Sequence, residues 1–254
     1  MKANSTRSVG WVISHAVKAG NVQQKPIEAT RENKPFCWGL LRRRQCVFPT
    51  WRGCLLFGLC FVIFAILAIR GIHPFLTVSQ PVPGGVLVVE GWAPDYALVA
   101  AVEEFKQNHY EKVFVTGGPL ERGAPLSEYK TYADLGAASL VKLGLAANVV
   151  QGVPAPLVRQ DRTYTSAVTL RKWFGEHGMP PTQLNLITVG PHARRSRLLF
   201  QKAFGRNVTV GIMAIPENGY DERNWWHSSE GVRAVIGEAL AYGYARIFFR
   251  VPRE

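Results

Sequence analysis

The chain has 254 residues, 47% of them hydrophobic and 11% aromatic, enough apolar material for a buried domain and too much for a disordered chain. Its net charge of +12 is unevenly placed: residues 1–52 hold ten Lys and Arg against two acidic residues, while residues 71–254 hold nineteen against sixteen. The excess therefore belongs to the N-terminal segment, which suits attraction to anionic lipid and argues against a nucleic-acid-binding domain.

Residues 1–52 read as a polar, basic cytoplasmic tail, with Lys34, Arg42, Arg43, Arg44 and Arg52 close to the apolar run that follows. That run, GCLLFGLCFVIFAILAI at residues 53–69, carries no charge and lies between Arg52 and Arg70. Seventeen residues at about 1.5 Å each give roughly 25 Å, short for a bilayer, but Arg70 can snorkel while Gly71 and Ile72 extend the span. There is no polar stripe of the kind a buried core helix shows. The expectation is a transmembrane helix over residues 53–72. Basic residues concentrate before it, so the N-terminus is expected in the cytoplasm and the remainder outside. A cleaved signal peptide fits less well, because the preceding segment is far too long. All four cysteines, Cys37, Cys46, Cys54 and Cys60, lie at or before this run, so neither a disulfide nor a cysteine zinc site is available after it. No metal site is expected.

Residues 73–85 contain three prolines and two glycines, which suits an extended linker. The main domain is expected over residues 86–254. It starts with VLVVE at residues 86–90, a short continuous run of the type found in strands buried on both faces. Helical spacing follows over residues 96–109, then a second buried strand, KVFVTGG, at residues 112–118. Residues 127–143 read as a helix stopped by Gly144, residues 148–153 as a third strand, and residues 164–177 as a helix opened by Asp161 or Thr163. LNLITV at residues 184–189 is a fourth strand, residues 192–204 a helix, residues 208–215 a fifth strand, and residues 225–249 largely helix. Alternation of this kind calls for an α/β fold: a Rossmann-like, mainly parallel sheet with helices on both faces.

Open parallel sheets bind ligands beyond the carboxyl ends of their strands. Four strand ends here deliver polar groups: Glu90-Gly91-Trp92, Thr116-Gly117-Gly118, Asp161-Arg162-Thr163, and Gly190-Pro191-His192 followed by Arg194, Arg195 and Arg197. Gly117 and Gly118 serve either a tight turn or the approach of bare backbone N–H groups to an anion. Thr163 and Thr165 either cap a helix or offer hydroxyls at its positive end, where phosphate binds. His192 has the chemistry of a proton-transfer group near neutral pH. The three arginines diverge around a helix, so only one or two can grip an anion. Glu90 ends an apolar strand and needs a partner if buried, with Arg162 or Arg195 the natural choices. Glu128 is a further acid that shares the site or lies on the surface. Trp225 and Trp226 suit a sealing role in the core or at the membrane-proximal face.

The succession of TGG, SEY, DRTYTSA, a TVGPHARR segment, WWHSSEG and a late Glu238 resembles the SanA/ElyC/YdcF family of bacterial envelope proteins, over about residues 84–248. By that resemblance the family positions are Gly117, Gly118, Ser127, Glu128, Thr163, Ala167, His192, Arg195 and Glu238. The first strand departs from it: many relatives end that strand in a glycine-rich LGGG-type segment, where this chain has Glu90-Gly91-Trp92. The resemblance implies a Rossmann-like fold and a role in envelope integrity or in the supply of surface polysaccharide or peptidoglycan. It fixes no reaction, and the cofactor is unknown.

The expectation from the sequence is a membrane-anchored protein that acts on or binds a phosphorylated, lipid-linked glycan precursor. His192 would act as acid or base, Glu90 and Glu128 as carboxylates of the site. Gly117, Gly118, Arg162, Thr163, Thr165 and Arg195 would hold the phosphate. The alternatives are a non-catalytic nucleotide or S-adenosylmethionine module, disfavoured because no GxGxxG follows the first strand, and a structural partner of an inner-membrane complex. A serine hydrolase has no GxSxG elbow here.

Overall fold

The computed structural model describes residues 50–252, so the expected tail lies outside the described residues apart from its last three positions. The first element, α1, is a 26-residue helix at Trp51–Leu76, about 39 Å long at 1.5 Å per residue. It is long and apolar enough to cross a membrane, and none of its most apolar stretch is buried. It runs past the expected end at residue 72 and takes in Pro74. Proline is tolerated there because only the final turn is affected and the end of the helix is packed: Leu76 is fully buried with Trp225 and Val235.

The domain then alternates: β1 (Val86–Glu90), α2 (Asp95–Gln107), β2 (Val113–Gly117), α3 (Tyr132–Lys142), β3 (Val150–Pro154), α4 (Arg162–Glu176), β4 (Gln183–Val189), α5 (Ala193–Phe204), β5 (Thr209–Ile215) and α6 (Ser229–Ile247). The strands form one sheet in the order β3-β2-β1-β4-β5, every neighbouring pair parallel. The α/β architecture expected from the run of buried strands is therefore present.

The strands are apolar on both sides because both sides are covered. In β1, Val86 and Val88 join Leu170 and Phe174 of α4 and Phe200 of α5 in one core. Leu87 and Val89 join Leu98 and Val102 of α2 and Leu140 of α3 in the other. The two-residue period of a strand makes that division.

Two boundaries differ from expectation in ways that matter. Residues 127–131 are not helical; α3 starts at Tyr132, capped by Thr131, whose side chain accepts from the Asp134 N–H. The preceding loop is closed by an antiparallel bridge between Pro119 and Thr131. The stretch after α1 is also not a free linker. Gln80 pairs with Ile212 at the edge of β5, and the fully buried Asn185 of β4 accepts from Val82 N–H at 2.8 Å and donates to Val82 O at 2.6 Å. An exposed strand edge offers unpaired backbone groups, and this segment takes them.

Candidate functional site

The site follows from the alternation in the strands. Glu90 has the parity of Val86 and Val88, so its carboxylate lies on the side covered by α4 and α5. Thr116 is its partner in register on β2, and Thr188 lies one step beyond the Val89–Ile187 pairing on β4. The three form a row across the middle of the sheet at its carboxyl end, and all are buried.

A buried carboxylate is costly unless its oxygens are satisfied. Glu90 accepts from Thr188 Oγ1 and from Ser196 Oγ on α5, the latter at 3.1 Å. His192, one turn before Ser196, closes a short 3-10 turn at Gly190–His192 and places Nε2 3.6 Å from Glu90 Oε2. Its Nδ1 lies 2.8 Å from Glu238 Oε1 on α6. Arg195 grips the same carboxylate with both forks, Nε to Oε2 at 2.7 Å and Nη2 to Oε1 at 2.9 Å. Arg195 Nη2 is also 3.0 Å from His192 Nδ1. Both atoms are donors, so they converge on Glu238 rather than bonding to each other.

Burial alone would push the His192 imidazole down, but the Glu90 and Glu238 carboxylates override it and hold the pKa at about 9. At pH 7 the ring is therefore an imidazolium. Burial acts against ionised Glu90 as well, and the neighbouring His192 charge keeps it below its ordinary value. Burial likewise opposes the Glu238 charge, yet hydrogen bonds from Arg195 and His192 bring it to about 2. Trp92 meets the His192 ring edge to face at 4.9 Å and closes one flank. Among the described residues two buried side-chain atoms make no hydrogen bond within the protein: His192 Nε2, which has only the longer ion pair to Glu90, and Thr116 Oγ1.

Both residues face a cavity of about 710 Å³ beyond the carboxyl ends of β1, β2 and β4. Its floor is Glu90 and Thr116, one wall is His192, Arg195 and Glu238, and the opposite wall is the entry to α4 with Asp161, Arg162, Thr163 and Ser166. Four basic groups line it (Arg159, Arg162, His192, Arg195), and so do four acidic ones (Glu90, Glu121, Asp161, Glu238). With the charges balanced, attraction for an anion has to come from local groups. The Asp161 side chain does not cap α4, and its backbone is left-handed (φ 58°). The bond from Thr165 N–H to Asp161 O belongs to the first turn, and the N–H groups of Arg162 and Thr163 lie before it at the positive helix end.

The expected residues divide. Glu90, His192 and Arg195 are brought together. Gly117 and Gly118 line the cavity, with different jobs: a side chain on Gly117 would sit 2.7 Å from Tyr132 Cβ, so that glycine admits α3, whereas the nearest neighbours of a Gly118 Cβ are 3.9 Å away. Thr163 lines the cavity, and Thr165 lies instead in a smaller neighbouring hollow with Phe249 and Pro252. Arg162 stays at the exposed rim, paired with Glu121, and is not the partner of Glu90. Glu128 is exposed in the loop before α3 and does not line the cavity. The other two arginines turn away: Arg194 donates to Phe75 O at the end of α1, and Arg197 to Val210 O. Among the described residues no group of three or more His, Cys, Asp or Glu side chains is arranged to hold a metal ion.

The residues alone did not point to Thr188 or Ser196, and Glu238 was reached only through the resemblance. A signal for Glu238 was there: Val235, Ala239, Tyr242 and Ala245 recur at helical spacing, and Glu238 interrupts that apolar stripe.

No protein-family model matches the chain, and no curated protein and no solved structure matches it.

Proposed function

We propose that the protein is anchored in the membrane by α1, with its α/β domain outside the cytoplasm, and that the cavity takes a phosphorylated ligand on which His192 acts as a general acid. The observation that carries this reading is the buried imidazolium on the cavity wall: its Nε2 makes no hydrogen bond within the protein and lies 3.6 Å from the Glu90 carboxylate. A pKa raised to about 9 by the two carboxylates suits a proton donor at neutral pH. Glu90, already accepting from two hydroxyls, orients and stabilises the imidazolium rather than taking a proton. Arg195 is held by Glu238 and positions that carboxylate. The phosphate meets the Arg162 and Thr163 N–H groups opening α4, the backbone at Gly118, and Thr116 Oγ1.

The resemblance to envelope proteins and the membrane anchor together favour a lipid-linked glycan precursor as the phosphorylated compound. In detergent, the full chain should bind polyprenyl pyrophosphate; His192→Ala should weaken binding at least about tenfold, the loss of one charge-assisted hydrogen bond, and Arg195→Ala should weaken it too, because Glu238 and the ring it holds lose their support. Wild-type affinity in both folded variants would remove the reading.

A further inference from the structure

α6 is apolar on two sides. Its inner side carries Val235, Ala239 and Tyr242 toward the end of α1, and Glu238 into the cavity. Its outer side presents Val232, Ile236, Leu240, Tyr244 and Ile247, which repeat every three or four residues and so share one face. Leu240 and Ile247 are each 72% exposed and the neighbouring Phe248 69%. Scattered exposed apolar residues need no explanation; a continuous stripe along a 19-residue helix does.

Three observations identify what covers it. The stripe belongs to the helix that packs against the end of α1: Phe75 and Tyr242 meet edge to face at 5.6 Å, Val235 packs with Leu76, and in the turn just before α6 Trp225 Nε1 donates to Ile69 O at 3.1 Å. It therefore lies close to the point where α1, itself exposed along its apolar length, joins the domain. Residues 229–250 also carry Arg233, Arg246 and Arg250 at their exposed positions against Glu230 alone. An apolar face flanked by an excess of arginine is the pattern of a helix lying in a membrane interface that contains anionic lipid.

We infer that the outer face of α6 is a second membrane contact, seated in the lipid interface beside the emerging α1. The inference rests on the anchoring role of α1. It holds the domain against the bilayer, and it brings the cavity close to lipid, since Glu238 lines the cavity from the opposite side of the same helix and a helix is only about 10 Å across.

The test is spin labelling of the full chain, with its four cysteines changed to serine, in vesicles of phosphatidylethanolamine and phosphatidylglycerol. Labels go on Leu59→Cys in α1, on Leu240→Cys and Ile247→Cys in α6, and on Glu176→Cys, an exposed residue ending α4. The expected result is that the labels at 59, 240 and 247 collide several-fold more with oxygen than with a water-soluble nickel chelate, the label at 176 showing the reverse. Lipid exposure at 59 with water exposure at 240 and 247 overturns this inference and leaves the anchor intact. Water exposure at 59 overturns the anchor and this inference together. Spin–spin broadening at 240 that disappears on dilution with unlabelled protein shows a second copy on the face, and overturns the lipid assignment.

Discussion

Replacing Glu90 with glutamine tests how the imidazolium is sustained. Glutamine keeps the shape of the side chain and an oxygen for Thr188 and Ser196, and removes the charge 3.6 Å from His192 Nε2. In the folded protein the His192 pKa stands at about 9 against an ordinary 6.5, a gap of roughly 3 kcal/mol in favour of the charged ring. Below pH 6.5 the ring is charged whether the chain is folded or not, and this contribution is fully present. It is lost as pH rises through about 9 and the folded ring gives up its proton. Glu90 is the first of the groups that raise the value, so Glu90→Gln should bring the His192 titration down by at least ~1 pH unit and halve the stability lost between pH 7 and pH 10. With six histidines in the chain, the His192 Cε1–H signal can be assigned by substitution and followed by NMR. Urea unfolding at the two pH values, compared between variant and wild type, cancels other titrating groups. An unchanged midpoint near 9 in Glu90→Gln would show that the Glu90 charge does not sustain the imidazolium.

Five further substitutions probe separate features of the fold and the cavity. Gly91→Ala would drive a Cβ into the Tyr132 backbone carbonyl, and thermal unfolding should show a loss of about 2 kcal/mol or more, whereas Gly118→Ala, with open space around it, should leave stability within about 0.5 kcal/mol and weaken only ligand binding. Asn185→Leu removes both hydrogen bonds to Val82 and leaves that backbone pair unsatisfied; the expected cost is ~2–4 kcal/mol in urea unfolding, and a cost near zero would mean the segment after α1 is held by other contacts. Thr131→Ala deletes the α3 cap and should cost about 1 kcal/mol, while Ser127→Ala, outside the helix, should cost nothing measurable.

The sheet was readable because its information is local. Each of VLVVE, VFVTG and LNLITV is too apolar to lie anywhere but in the middle of a covered sheet, and glycine or polar turns punctuate them. The start of α3 was misread because Ser127 and Thr131 are both capping residues; the choice between them is made by the Pro119–Thr131 bridge, a tertiary contact. The end of α1 was misread for a similar reason, since packing on Trp225 carries the helix past Pro74. In the site, Glu90 and His192 announced themselves as polar groups ending apolar strands. Ser196 sits among arginines on a helix, and only its fourth-residue spacing from His192 turns it toward Glu90. The inward face of α6 is harder to pick, because that helix is apolar on both sides and only Glu238, interrupting one of the two stripes, sets them apart.

The charged cluster draws its members from positions 90, 192, 195 and 238, so it spans most of the domain and is completed by the last helix. A ribosome that has released everything up to α5 has already delivered Glu90 and His192, and nothing yet for Arg195 to hold. Until α6 brings Glu238, one of the two cations lacks its carboxylate, and burying it is costly. Docking of the final helix and maturation of the pocket are thus one event, and a chain cut short before residue 238 carries its own defect at the point where the chemistry would begin.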